Sequence, residues 1–308
     1  MKSPRILVGV DFSPESELAA RQAIDIARRV GGEVFLAHVH APLEPTPFPD
    51  LPEASARALE HYRSYLEEQV GQDRVRLDQM RHRLTSADVP VLEAAIDGFP
   101  ETGLAMAARE LEADLMVVGT HGRGGLRWFD LGSVSQRVIR LCESDVMVAR
   151  GEAAARGGFD RIFVATDFSA TSERALQRAR WLASPSALID VAHFYQHAPR
   201  AELYGAVRSA IGADLDQTIM RDLQAAGQSF IGERRGDGPT IRFYAVAEPP
   251  IPGIVHWLER QPYDLVALGS HGRRGFRRFV LGSVAEAVAR RAPCSTLVAH
   301  SAATGDAP

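Results

Sequence analysis

Lysine is all but missing from this chain. Lys2 stands alone, and every other cationic side chain apart from histidine is arginine. Mechanisms that depend on a catalytic or phosphate-gripping lysine are therefore excluded, and the Gly-x4-Gly-Lys-Ser/Thr loop of many nucleotide hydrolases is absent. Cysteine is nearly as scarce: Cys142 and Cys294 lie far apart, which excludes a disulfide scaffold and a zinc site built on several thiolates. Both read as small buried thiols, and Cys294, after Pro293, is given no redox role. No apolar run approaches the roughly 18 residues of a membrane span. The opening Met1-Lys2-Ser3-Pro4 and its short Ile-Leu-Val run lack the apolar core and cleavage site of a secretory signal, so a cytoplasmic protein is expected. A net charge of −4 supplies no broad attraction for nucleic acid or anionic lipid, and neither is an expected partner.

What is present is a duplication. The 308 residues, 45% hydrophobic and 24% charged, suit two globular units of about 150 residues each. Val8-Gly9-Val10-Asp11-Phe12-Ser13 recurs as Val164-Ala165-Thr166-Asp167-Phe168-Ser169. Gly119-Thr120-His121-Gly122-Arg123 through Leu131-Gly132-Ser133-Val134 recurs as Gly269-Ser270-His271-Gly272-Arg273 through Leu281-Gly282-Ser283-Val284. Between them, Ala37-His38-Val39-His40 matches Ala192-His193-Phe194-Tyr195 more weakly. The order is the same in both copies, and the small, glycine-rich stretch 151–158 reads as the linker. The expected domains are 1–150 and 159–308.

Short, partly β-branched apolar runs at 5–10, 34–39, 91–96, 115–118 and 146–149 read as strands buried on both faces. Their counterparts fall at 161–165, 188–193, 240–245, 265–268 and 296–299. Helical patterns alternate with them. Ser13 and Pro14 start one, Ala19, Ala20, Ala23, Ile24, Ala27 and Val30 carry its apolar side, and Gly31-Gly32 stops it. A longer charged segment, 53–84, sets Leu59, Tyr62, Leu66, Val70, Leu77, Met80 and Leu84 toward one side, which predicts a helix packed on a sheet rather than a coiled coil. Strand-helix alternation implies parallel strands with right-handed crossovers, a doubly wound α/β unit made twice.

In such a sheet ligands bind beyond the carboxyl ends of the strands, where the repeated glycine segments fall. Glycines at 119 and 122 permit a tight turn and close approach, and Gly132-Ser133-Val134 opens the next helix with unpaired N–H groups. Loop amides and a helix terminus together suit a phosphate tail without lysine, with Arg123 and Arg127, or Arg273 and Arg277, adding charge. Asp11 and Asp167, ending the first strand of each copy, face the same crevice and would accept bonds from a base or ribose or touch a phosphate-bound metal. The local alternatives are a ligand-free turn for the glycines, a cap of the following helix for the aspartates, and backbone bonding for His121 and His271, named here as neighbours of the site.

The Gly-x2-Gly-x9-Gly-Ser spacing after Val-Asp-x-Ser resembles the universal stress protein family in its tandem form. Gly119, Gly122, Gly132 and Ser133 fill the pattern in the first half, and Gly269, Gly272, Gly282 and Ser283 in the second. The resemblance implies two open five-stranded parallel sheets of order 3-2-1-4-5, Rossmann-like, and ATP as ligand, with magnesium or manganese on its phosphates. By that resemblance Asp11 and the backbone near Val39 hold the adenine and ribose end, Gly119 through Gly125, with Gly124, wrap the ribose and phosphates, and Ser133 and Val134 meet the phosphates. Asp167, Phe194, Gly269 through Gly275, Ser283 and Val284 do the same in the second half. Gly9 is replaced there by Ala165, Gly124 by Arg274 and Val39 by Phe194, so the second pocket is expected to be tighter and the first to bind better. The resemblance also implies pairing of last strands, 146–149 with 296–299, into a pseudo-dimer, with a homodimer as a further step.

His38 and His40 share one face of a strand, but no third ligand at fixed spacing is visible, and a zinc site is not expected. Neither a Gly-x-Ser-x-Gly elbow nor a repeated base aimed at a terminal phosphate appears, so no catalytic residue is assigned. The expected function is ATP binding in a regulatory stress response with unidentified protein partners, nucleotide occupancy biasing the loops 119–132 and 269–282. A slow ATPase or nucleotidyl-transferring enzyme and a nucleotide-free interaction module are the alternatives.

Overall fold

The apolar run after Pro4 becomes β1 (Arg5–Gly9), with Ile6, Leu7 and Val8 fully buried, as a strand covered on both faces requires. Ser13 then caps α1 (Pro14–Val30): its hydroxyl accepts from the Ser16 N–H at 3.2 Å, and the left-handed Gly31, φ +67°, closes the helix. Alternation continues through β2 (Glu33–His40), α2 (Glu53–Leu84), β3 (Val91–Asp97), α3 (Pro100–Glu110), β4 (Leu115–Gly119) and α4 (Ser133–Leu141). β1 runs parallel to β2 and β4, and β2 to β3, which gives the order 3-2-1-4. These elements belong to a computed structural model that describes residues 2–40, 53–85, 88–122, 131–151, 158–196, 208–232, 238–272 and 281–300. Most of the expected linker, 152–157, lies outside the described residues.

Among the described residues, the chain divides into two compact units between Ser144 and Asp145. The last strand of the first sequence copy, β5 (Asp145–Ala149), therefore groups with the second unit. That unit continues with β6 (Phe159–Ala165), α5 (Ala170–Leu182), β7 (Ala183–Phe194), α6 (Arg208–Ile231), β8 (Thr240–Val246), α7 (Pro250–Arg260), β9 (Leu265–Gly269), α8 (Ser283–Arg291) and β10 (Ser295–Ala299). Strands 8-7-6-9-10 are parallel neighbours in that order, the expected 3-2-1-4-5 arrangement. β5 pairs antiparallel with β10, Val148 opposite Thr296, which is the joining of last strands that the resemblance implied.

A buried charge explains why β5 belongs there. Asp145, with no exposed side-chain surface, accepts from Arg174 Nε at 2.8 Å, from Arg178 Nε at 2.5 Å and from the His300 N–H at 2.9 Å. All three donors lie in the second unit, so its carboxylate is satisfied only with β5 seated on β10.

The helix at 53–84 forms with the expected bounds but packs over only part of its length. Leu77 and Met80 are buried, whereas Tyr62 is 55% exposed. Length supplies the reason: 32 helical residues reach about 48 Å, while the seven residues of β3 reach about 23 Å. The apolar stripe therefore outruns the sheet beneath it.

Candidate functional site

The crevice begins where β1 ends. Phe12 adopts φ +63° and its counterpart Phe168 φ +61°, a left-handed conformation that is costly for a bulky side chain. The sharp turn lets Asp11 fold back on the cap of α1. Its Oδ1 accepts from the Ser13 N–H at 3.1 Å and from the Ser13 hydroxyl at 2.5 Å. The capping role weighed for this aspartate is thus real but indirect: it steadies Ser13, the residue that caps. Asp167 likewise accepts from the Ser169 N–H at 3.1 Å.

The other oxygen explains one motif glycine. A Cβ on residue 122 would sit 2.5 Å from Asp11 Oδ2, and one on residue 272 would sit 2.8 Å from Asp167 Oδ2. Glycine at this position lets the loop backbone close down on the carboxylate. At Gly119 the constraint is packing: a Cβ would fall 2.9 Å from the Glu15 carbonyl carbon, against the first turn of α1. Gly269 is held in the same way by Thr171 and Ser172 of α5.

Across the crevice stands the start of α4. The Gly132 N–H donates to the Thr120 carbonyl at 2.7 Å, and the Gly282 N–H to the Ser270 carbonyl at 2.7 Å, so these two amides are satisfied internally. No side chain caps either α4 or α8. The first-turn donors that remain to meet an anion include those of Ser133 and Val134, and of Ser283 and Val284.

These parts enclose a cavity of about 650 Å³ in the first unit. Gly9 and Asp11 come from the end of β1, Val39 from β2, and Gly119, His121 and Gly122 from the end of β4. Gly132, Ser133 and Val134 complete the wall from α4. Thr120 is buried behind the lining, holding Gly132 through its carbonyl. The buried Nε2 of His121 has no hydrogen-bond partner among the described residues, and neither has that of His271. Arg123, Gly124, Gly125 and Arg127, with Arg273, Arg274, Gly275 and Arg277, lie outside the described residues.

The second unit assembles the same positions around about 240 Å³: Ala165, Asp167 and Phe194, then Gly269, Ser270, His271 and Gly272, then Gly282, Ser283 and Val284. The Ser270 N–H is already taken by the Ala299 carbonyl at 2.8 Å. Phe194, in place of Val39, takes part of the space, and among the described residues none of α6 lines this cavity as those of α2 line the first. The Phe194 ring lies against α7 at Gly253, where a Cβ would be only 2.5 Å away, whereas the matching Gly103 faces the smaller Val39.

Sequence reasoning missed one wall of the first cavity altogether. Leu66, Gln69, Val70 and Asp73 of α2 line it, together with His38 and His40 of β2. The spacing i, i+3, i+4, i+7 was the available signal, since it sets those four on one face of the helix. His38 Nδ1 lies 2.6 Å from the Val10 carbonyl, and its Nε2 lies 3.3 Å from Asp73 Oδ2. Burial first, and then the neighbouring His38, hold the His40 imidazole below its usual pKa. Burial also pushes the Cys294 thiol up to about 12, which makes it the inert core residue expected.

Comparison with known proteins places this geometry. A model of the universal stress protein family matches residues 3–150 and again 158–300. A universal stress protein of Mycobacterium tuberculosis is 38% identical over 145 residues, 47% of this chain and 45% of the relative, so the match spans about half of each. A universal stress protein of Mycolicibacterium smegmatis is 27% identical over 310 residues, covering 95% of this chain and 96% of that one. Among solved structures, a universal stress protein of Archaeoglobus fulgidus superposes with a TM-score of 0.63 at 20% identity over 97% of both chains, a likeness of fold. Among the described residues no helix is long and apolar enough to cross a membrane. With the family pattern matched once in each half, and a relative aligned almost end to end, the chain belongs to the universal stress protein family in its tandem two-domain form.

Proposed function

We propose that the first unit binds ATP, and that nucleotide occupancy rather than turnover is the output of this cytoplasmic regulatory protein. The observation that carries the reading is the 650 Å³ cavity, bounded on one side by the uncapped start of α4 and on another by Asp11. That volume falls within the about 300–1,000 Å³ of small-molecule and cofactor sites. Phosphate oxygens would take the Ser133 and Val134 amides, favoured further by the positive end of the helix. The orphaned Nε2 of His121 supplies one more polar group at the cavity wall. Asp11, at the opposite wall, would accept from the ribose or base end, and magnesium or manganese carried on the phosphates would find its carboxylate as an oxygen ligand. The 240 Å³ cavity of the second unit falls below the usual range, so its affinity is the lower of the two.

The test is to heat-denature the purified chain and measure released nucleotide by mass and absorbance, with calorimetry on the emptied protein. One adenine nucleotide per chain, bound with negligible hydrolysis, is the expected result. No binding at millimolar ATP would overturn the proposal, and turnover in the ordinary range of about 1–1,000 per second would replace it with an enzyme.

A further inference from the structure

We propose that His38, His40 and Asp73 form a site for a borderline divalent cation of the zinc class, at the α2 wall of the first cavity. One ligand atom from each residue lies within 4.8 Å of the others, although the three come from two elements and Asp73 is far along the chain. The bonding of His38 shows why these atoms belong together. Its Nδ1 sits 2.6 Å from the Val10 carbonyl, which only accepts, so Nδ1 is the nitrogen that carries the proton. In the neutral ring, Nε2 then presents a lone pair, and it does so 3.3 Å from Asp73 Oδ2, itself an acceptor. Two lone pairs at that distance need a positive centre between them.

A tetrahedral zinc with bonds of about 2.0–2.1 Å spaces its ligand atoms about 3.3 Å apart, which matches this pair. The bond from Nδ1–H to a main-chain carbonyl is the support that orients a ligating imidazole and fixes its tautomer. His40 supplies the second, independent observation. It is 4% exposed, its Nε2 has no hydrogen-bond partner among the described residues, and its ring stands edge-on to His38 at 4.8 Å between centroids. Two imidazoles and one carboxylate suit zinc better than magnesium or manganese, which prefer oxygen donors. All three residues line the cavity, so a fourth position is left for water or a ligand oxygen. Arg76, 3.3 Å from Asp73 Oδ1, holds the carboxylate by its other oxygen. Arg74 opposes a cation here by its charge, and Asp97 favours one.

The second unit provides a control within the same chain. His193 repeats the first half of the arrangement, with Nδ1 2.8 Å from the Thr166 carbonyl, but Tyr195 stands where His40 would be and its hydroxyl donates to Met220.

The experiment uses the full chain, untagged, stripped of metal and kept free of nucleotide, so that its outcome does not depend on the ATP proposal. Zinc is titrated by calorimetry, and cobalt(II) is followed by visible absorption. The expected result is one zinc per chain, with the intense ligand-field bands of four-coordinate cobalt. His40→Tyr and the near-isosteric Asp73→Asn should each weaken zinc by about a hundredfold or more, since even supporting residues are worth about 10–100-fold. His193→Ala should change nothing. Absence of zinc binding at micromolar concentration, with both nitrogens of His38 protonated by NMR, would show that a proton fills the gap and overturn the proposal. Binding that survives both variants would overturn it as well.

Discussion

The two units carry the same glycine pattern around cavities that differ more than twofold in volume, so the difference must come from residues outside the pattern. Leu7, Val39, Ala107 and Ala113 in the first unit correspond in order along the chain to Phe163, Phe194, Trp257 and Tyr263 in the second. The four aromatic side chains form one cluster: Phe163 lies 5.4 Å from Tyr263 and 6.3 Å from Phe194, and Phe194 meets Trp257 edge-on at 6.2 Å. Trp257 donates to the Tyr263 oxygen at 2.9 Å, and Tyr263 donates to the buried Asp190 at 2.8 Å. Burial pushes the Tyr263 phenol well above its usual pKa, which keeps it a donor. In the second unit the space beside the crevice has become core. A glycine motif specifies a turn, whereas the side chains behind it decide how much room the crevice has.

The largest effect expected from breaking this comparison is at the charge that ties β5 into the second unit. Asp145→Ala leaves Arg174 and Arg178 facing a buried vacancy and should cost about 3 kcal/mol, the low end for a broken buried pair because both arginines retain some exposure. Ser295, at the corresponding place on β10, exchanges side-chain bonds, among the described residues, with the Arg150 main chain alone, and Ser295→Ala should cost about 1 kcal/mol. Denaturant unfolding of the two variants measures the gap, and equal losses would contradict the structural role given to Asp145.

Next in size is the loop that closes on the first carboxylate. Gly122→Ala places a methyl 2.5 Å from Asp11 Oδ2, so the carboxylate must swing away from Ser13. Overpacking of this kind is worth about 1–3 kcal/mol, and ATP affinity of the first unit should fall by about tenfold to a hundredfold while the far-ultraviolet spectrum is kept. The matching Gly272→Ala meets Asp167 Oδ2 at 2.8 Å and should leave the first site as it was. Val39→Phe and Phe194→Val then exchange the walls directly. The first should lower occupancy about tenfold, and the second should raise bound nucleotide above one per chain at saturating ATP. If neither exchange moves the stoichiometry, side-chain bulk is not what separates the units.

The parts of the molecule legible in the sequence are those whose cause is local. Ten strands fall within a few residues of their expected places because buried parallel strands announce themselves as short apolar runs, and Ser13 marks the start of α1 by its own hydroxyl. The doubled motif also located the crevice, since the C-terminal edge of a parallel sheet follows from topology. What stayed hidden depends on long-range placement. Nothing in the residues around Asp73 says that α2 lays them along His38, and nothing in the run 145–149 says that Asp145 will find Arg174 and Arg178. The purpose of Gly119 was hidden for the same reason: its neighbour is Glu15 of α1, far off in the chain, so a glycine that reads as ligand-facing also answers to helix packing.

The smallest effect is expected at Tyr62, on the 32-residue α2, whose counterpart α6 has 24 residues, with Leu77 of the same helix as the packed reference. If the added length of α2 served the core, its aromatic positions would be covered, yet Tyr62 is 55% exposed while Leu77, four turns on, is 1% exposed. Leu77→Ala should therefore cost about 2–5 kcal/mol, as a cavity in a packed layer does, and Tyr62→Ser should fall within about 0.5 kcal/mol of the parent. Thermal unfolding of the two variants decides the matter. A loss at Tyr62 comparable to that at Leu77 would mean that the overhang is covered in solution, and that the extra turns of α2 contribute to stability rather than only carrying Leu66, Gln69, Val70 and Asp73 to the cavity wall.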